Sequence, residues 1–273
     1  MSDNQKHPYH LVDPSPWPLV TAASLLILAY GFITFMHQDK SLLFIIGSVA
    51  LIASSIFWWR DIVSESEGGK FHNKVVQIGL RYGMILFIAS EVMFFSAWFW
   101  AFFDVAFYPG ENSQELIGRQ EALGGVFPPE DIELIPPFGI PLLNTFILLA
   151  SGGTVTWAHH ALRENDRKNF LIFLFLTILL GLIFTGFQGY EYLHATFSID
   201  EGIYPSTFYM ATGFHGAHVI IGTIFLIVCF IRGAKGHFKP EKHLGFEFAA
   251  WYWHFVDVVW LFLFTFVYWW ASF

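Results

Sequence analysis

Charge is scarce in this chain. Of 273 residues only 13% are Asp, Glu, Lys or Arg, against 55% hydrophobic and 20% aromatic, and so few polar groups cannot cover a protein dissolved in water. Cations are the scarcer sign: 14 Lys and Arg stand against 22 Asp and Glu, a formal net charge of −8, which excludes the basic stripe of a nucleic-acid binder. With 33 Phe and 11 Trp, a disordered or collagenous chain is excluded as well. Cysteine occurs once, as Cys229 in an apolar run, so there is neither an intrachain disulfide nor a zinc ribbon, and the residue reads as a small buried apolar group. No Walker loop, Gly-rich dinucleotide turn or Cys pair is present. The N-terminal stretch MSDNQKHPYHLVDPSPWP lacks the basic start and apolar core of a cleavable signal, so it is expected to persist in the mature protein.

What the sequence has is a series of apolar runs, each of about 20 residues or more, the length a helix needs to cross ~30 Å of hydrocarbon. Seven can be read: Trp17 to Met36, Ser41 to Trp59, Val75 to Tyr108, Pro141 to Leu162, Phe170 to Tyr190, Tyr204 to Ile231 and Phe248 to Trp270. Backbone groups left unpaired in lipid are too costly, and runs of this length are helices rather than short alternating barrel strands. The expected fold is an all-α integral membrane protein. It comprises an N-terminal segment 1–16, a two-helix hairpin 17–59, a loop 60–74 and a five-helix bundle 75–273 with an acidic loop 109–138. Placing the N-terminus on the inner side puts 12 of the 14 cations there, leaving only Lys40 and Arg119 outside, so the positive-inside bias supports seven spans and an outer C-terminus. The acidic loop, with Glu111, Glu115, Glu121, Glu130, Asp131 and Glu133, then lies outside. It reads either as a docking surface for a basic partner or as a solvated loop with none.

Polar residues inside spans are where function is expected. Glu91 lies among Phe87, Ile88, Phe94, Phe95 and Trp98, and two readings are open, a proton-exchanging carboxyl or a neutral acid hydrogen-bonded to a facing helix. His254 and Asp257 stand i and i+3 on the seventh span, neighbours on one face and a candidate packing pair. Glu191 with His194 and His215 with His218 have the spacing of di-iron ligands, but such a site needs two Glu-x-x-His pairs and only one is present. These histidines, with the adjacent His159 and His160, are placed near span ends, and no metal site is expected. Small residues point to close helix packing at Gly213 and Ala217, at Ser151, Gly152, Gly153 and Thr156, and at Gly181 and Thr185. Trp58, Trp59, Arg60, His72, Arg232, Lys235 and His237 gather aromatic rings and cations at the expected inner side, suiting either anionic lipid head groups or ordinary interfacial anchoring.

Long segments of the chain resemble subunit III of cytochrome c oxidase: HLVDPSPWP (His10 to Pro18), FWWRDIVSES (Phe57 to Ser66), GLRYGMILFIASEVMFFSAWFWAFF (Gly79 to Phe103), VTWAHHA (Val155 to Ala161), FTGFQGYEY (Phe184 to Tyr192), STFYMATGFHGAHVIIGT (Ser206 to Thr223) and GFEFAAWYWHFVDVVWLFLF (Gly245 to Phe264). The resemblance implies a non-catalytic subunit of an aa3-type haem-copper oxidase in a bacterial or mitochondrial inner membrane. It implies no cofactor in this chain beyond structural phospholipid, with haem and copper in partner subunits I and II and cytochrome c as the indirect electron donor. It also implies a V-shaped arrangement in which spans one and two face the other five across a lipid-holding cleft. Residue by residue, Glu91 matches the family's intramembrane carboxyl. Trp58, Trp59, Glu65, His72, Arg232 and His237 match positions at the lipid edge, and His7 and His10 match histidines proposed to feed protons to the catalytic subunit. The competing reading is an autonomous membrane di-iron enzyme built on Glu191, His194, His215 and His218.

Overall fold

The computed structural model describes residues 10–11, 13–68, 72–109, 125–130 and 132–273. Among these residues the secondary structure is helical apart from one isolated bridge between Lys239 and Lys242. The helices are α1 (Trp17–Gln38), α2 (Leu42–Gly68), α3 (Lys74–Phe107), α4 (Ile140–Arg163), α5 (Arg167–His194), α6 (Ile203–Ala234) and α7 (Leu244–Phe262). Each is long and apolar enough to cross a membrane, the seventh counted through to Ser272, as the apolar runs predict. The chain divides into two compact units, one ending at Tyr82 and the other starting at Gly83, with α3 passing from the first into the second.

In the first unit α1 starts on Trp17-Pro18, where the missing proline N–H costs nothing because first-turn donors have no helical partner. It stops at Asp39, whose left-handed backbone (φ 54°) turns the chain while its N–H closes onto the Phe35 carbonyl at 3.1 Å. Glycine then lets the two helices touch backbone to backbone: a Cβ on Gly47 would lie 2.5 Å from Leu28 Cα, and one on Gly31 would meet the backbone of Phe44. At the far end of the hairpin Trp17 Nε1 donates to Asp61 Oδ2 (2.6 Å) and the Trp17 ring stacks on Phe57. The second span, expected to end at Trp59, continues as helix to Gly68. The run Arg60 to Glu67 is too polar for lipid yet carries no helix breaker, so hydrophobicity and helicity end at different residues and much of the expected 60–74 loop is helical.

In the second unit α4 to α7 close around one indole. Trp253 of α7 is fully buried, its Nε1 donates to Ser151 Oγ of α4 (2.9 Å), and the glycines of its other two neighbours admit it. A Cβ on Gly181 of α5 would lie 2.7 Å from Trp253 Cη2, and one on Gly222 of α6 would lie 2.9 Å from Cε3. Trp260 repeats the device two turns later, donating to Thr145 Oγ1 at 2.9 Å. Gly213, expected at a close approach, is not one: a Cβ there would find only the Tyr192 hydroxyl, at 3.8 Å. Helix α3 is held against α6 and α7 by interleaved rings, with Phe94 and Trp98 each 5.0 Å from Phe214 and Phe103 at 5.2 Å from Phe266. Helix α5 is capped by Asp166, which accepts from the Asn169 N–H (3.1 Å), and that bond holds its carboxyl below the usual carboxylate range. Beyond Phe262, α7 widens into a π-helical stretch, Leu263–Trp269, and ends in a 3-10 turn, Trp270–Ser272.

Candidate functional site

Glu91 stands seventeen residues into α3 and meets a partner 127 residues away in sequence, His218 of α6, with Oε2 to Nε2 at 2.9 Å. The imidazole is fixed by its other nitrogen. Nδ1 lies 2.6 Å from the Phe214 carbonyl, a group that only accepts, so Nδ1 carries hydrogen. Across the Glu91 contact there is therefore room for one proton, bound either to the carboxyl or to the imidazole, and the pair is neutral in both arrangements. Phe94 and Phe95 flank the ring at centroid distances of 5.9 and 4.9 Å, and Tyr252 stacks at 6.3 Å. The pair is mostly screened, with side-chain exposures of 12% for His218 and 21% for Glu91.

The four residues of the di-iron reading go to separate partners. His218 faces Glu91; His215 Nε2 donates to the Val256 carbonyl (3.1 Å) from a fully buried position between Phe184 and Trp260. Glu191 Oε1 accepts from the Tyr268 hydroxyl (2.6 Å) and from Gln188 Nε2 (3.2 Å), and His194 Nδ1 lies 2.9 Å from the Tyr190 carbonyl. Among the described residues no three His, Cys, Asp or Glu side chains gather as metal ligands. His215 and His218 also depart from the span-end placement expected of them. They sit twelve and fifteen residues into α6, where burial makes each imidazole take a protein partner. His159 turns to a different helix from His160, its Nε2 lying 3.2 Å from His243 Nε2, while His160 stacks on Trp157. Cys229 is buried and its thiol donates to the Gly245 carbonyl at 3.7 Å.

His254 and Asp257 are neighbours on α7, Nδ1 to Oδ2 being 3.7 Å. His254 Nε2 also reaches Thr156 Oγ1 of α4 at 3.2 Å, a partner that spacing along one helix could not reveal. In the first unit Trp58 is half-buried and Trp59 exposed, and the His10 and His72 rings lie 5.2 Å apart. Burial, then the neighbouring His10, holds the His72 imidazole below its ordinary 6.5, with Glu65 pulling the other way. In the second unit Arg232 lies over the Phe238 ring at 4.7 Å, and His237 follows in the turn between α6 and α7. His7 lies outside the described residues.

The His72 shift has a measurable consequence. A folded-state value below 6.5 means that the unfolded segment binds the proton more readily, so the contribution of neutral His72 is full above pH 6.5 and is lost as pH falls below it. Acidification from about pH 7.5 to about pH 5.5 is expected to speed hydrogen exchange around His10 relative to its intrinsic rate, and His72→Gln to flatten that response. Equal acid response in both proteins would contradict the assignment.

Comparison with known proteins agrees with the geometry. The family described as Cytochrome c oxidase subunit III matches residues 7–272. The chain is similar to cytochrome c oxidase subunit 3 of Arabidopsis thaliana and of Marchantia polymorpha, each 53% identical over 274 residues covering 100% of both chains. That of Equus asinus is 53% identical over 269 residues, 98% of this chain and 99% of the relative. Full-length identity at this level, carried on seven apolar helices, shows that the chain belongs to the cytochrome c oxidase subunit III family and is a subunit of that enzyme complex.

Proposed function

We propose that this subunit is non-catalytic, that it binds phospholipid, and that it stabilises the oxidase's catalytic subunit I while assisting proton uptake during reduction of O2 to water. Subunits I and II would supply the haem and copper, and cytochrome c the electrons. Its location would be the inner membrane of a bacterium or mitochondrion, with the N-terminus on the cytoplasmic or matrix side. The observation that carries the lipid reading is the aromatic and cationic collar in each unit: Trp58, Trp59, Arg60 and His72 in the first, and Arg232 over Phe238 in the second. A guanidinium lying over an aromatic ring gives the cation and ring pairing that suits an anionic head group. Glu65 and His237 extend the two collars.

For proton uptake the support is the pairing of His10 with His72, two imidazoles 5.2 Å apart. His7 is proposed to act with them. Glu91 is assigned a structural role, a hydrogen-bonded tie between α3 and α6, rather than a place on the proton route.

Native mass spectrometry of oxidase purified from its own membrane tests the lipid role. Wild type is expected to retain phospholipid on this subunit and Arg232→Ala to lose it roughly tenfold more readily, as befits one charge-assisted hydrogen bond. Equal retention would refute it. Oxidase stripped of this subunit is expected to turn over at first and then inactivate sooner, and unchanged durability would refute the supporting role.

A further inference from the structure

His159, near the end of α4, and His243, at the start of α7, bring their Nε2 atoms to 3.2 Å. Their rings stand 70° apart with centroids at 5.2 Å. Both imidazoles are held in place. His243 Nδ1 lies 3.1 Å from the Lys239 carbonyl, a group that only accepts, so Nδ1 carries hydrogen and Nε2 presents a bare lone pair. That carbonyl belongs to a fixed turn, because Lys239 and Lys242 exchange two backbone hydrogen bonds of 3.2 and 2.9 Å. The His159 ring stands edge-on to the fully buried Phe246 at 5.7 Å.

In the neutral pair His159 Nε2–H must therefore donate to His243 Nε2. The hydrogen is not bound to stay there, since a neutral imidazole carries it on either nitrogen; with hydrogen on Nδ1, His159 turns a second lone pair towards the first. Two imidazole nitrogens on one tetrahedral Zn2+, each at ~2.0–2.1 Å, stand about 3.3 Å apart, close to the separation these two already have. A bond from the far nitrogen to a backbone carbonyl is also what orients metal-binding imidazoles, and His243 makes that bond to Lys239. Glu247 follows His243 by one helical turn, its N–H closing onto the His243 carbonyl at 3.0 Å, the interval by which a helix offers two side chains to one ion. Both histidines are only partly buried, which leaves an ion a way in. The neighbouring cations Arg163, Lys239 and Lys242 are exposed, so solvent and salt weaken their opposition.

We propose that His159 and His243 bind a late divalent transition-metal ion, which clamps the turn between α6 and α7 onto the end of α4. The site shares no residue with the di-iron reading built on Glu191, His194, His215 and His218. Two protein nitrogens leave further positions on the ion to water or to Glu247, so it is an exchangeable site rather than a closed structural one. Imidazole nitrogen selects zinc, copper or nickel over magnesium or calcium.

Zn2+ is the probe, added to the purified oxidase and counted by elemental analysis after dialysis. Wild type is expected to hold one more Zn2+ per copy of this chain than His159→Gln or His243→Gln. Each substitution should weaken that ion at least about 100-fold, since loss of an orienting partner alone costs roughly 10–100-fold. His160→Gln should keep it, because that ring stacks on Trp157 instead. Equal zinc in all four proteins would overturn the proposal. A second reading needs no substitution and so does not depend on how the variants fold. Saturating Zn2+ is expected to slow hydrogen exchange across the 235–243 turn of the wild-type oxidase, while the same concentration of Mg2+ leaves it unchanged. Exchange unaffected by Zn2+, or slowed equally by both ions, would overturn the clamp.

Discussion

Replacing Trp253 by alanine is expected to destabilise this subunit by about 3–5 kcal/mol, the range for deleting a buried indole. The side chain is fully buried, and α4, α5 and α6 all meet it. In lipid little of this cost comes from water; it is packing lost on three sides, together with the hydrogen bond that Ser151 Oγ accepts while donating to the Leu148 carbonyl. A sharper test uses size compensation. Gly181→Ala alone forces a Cβ against Trp253 Cη2 and should lower the temperature at which the subunit leaves the purified oxidase. In a Trp253→Phe background, where the ring no longer reaches, the same glycine change should cost much less. Contacting residues depart from additivity in this way. Additive effects would mean that the two side chains do not share the space described.

His218→Leu is expected to cost about 1–3 kcal/mol, because it leaves the mostly screened Glu91 carboxyl without its hydrogen-bond partner. Glu91→Gln should be tolerated: its amide N–H can donate to His218 Nε2 while Nδ1 stays committed to Phe214. Glu91→Ala should match His218→Leu, and the double change should cost less than the two single costs together. Thermal stability of the four variants in the purified oxidase reads this directly. If Glu91→Gln instead slowed proton uptake with stability unchanged, and an infrared carboxyl band that shifts in turnover vanished with it, Glu91 would belong to proton movement rather than to packing.

Span number and span position were legible because both follow from local length and apolarity, and the family was legible from long ordered motifs. Glu91 stood out as an acid in an apolar run. Its partner did not, since a contact between residues 127 apart leaves no trace in spacing. His218 was grouped with His215 by their i,i+3 interval, although one faces α3 and the other α7. The interval says that two side chains share a helix face, not what lies opposite. Gly181 was marked correctly as a packing glycine and Gly213 was not, because only the large residue opposite decides whether a missing Cβ matters. The helical stretch from Arg60 to Gly68 and the π-helical widening at Leu263–Trp269 cannot be read from the apolar pattern. The first is polar helix beyond the span, and the second changes hydrogen-bond register without a change in composition.

The single proton between Glu91 and His218 also sets how this interface responds to an electric field. A membrane potential acts on a unit charge with about 2.3 kcal/mol per 100 mV across the full hydrocarbon thickness, and an isolated carboxylate at mid-span would feel a large part of it. Here the charge that can move is one proton, and it can travel at most the 2.9 Å between two atoms, about a tenth of ~30 Å. The energy at stake is then no more than about 0.2 kcal/mol per 100 mV. Respiration can charge and discharge the membrane while the tie between α3 and α6 holds almost unchanged.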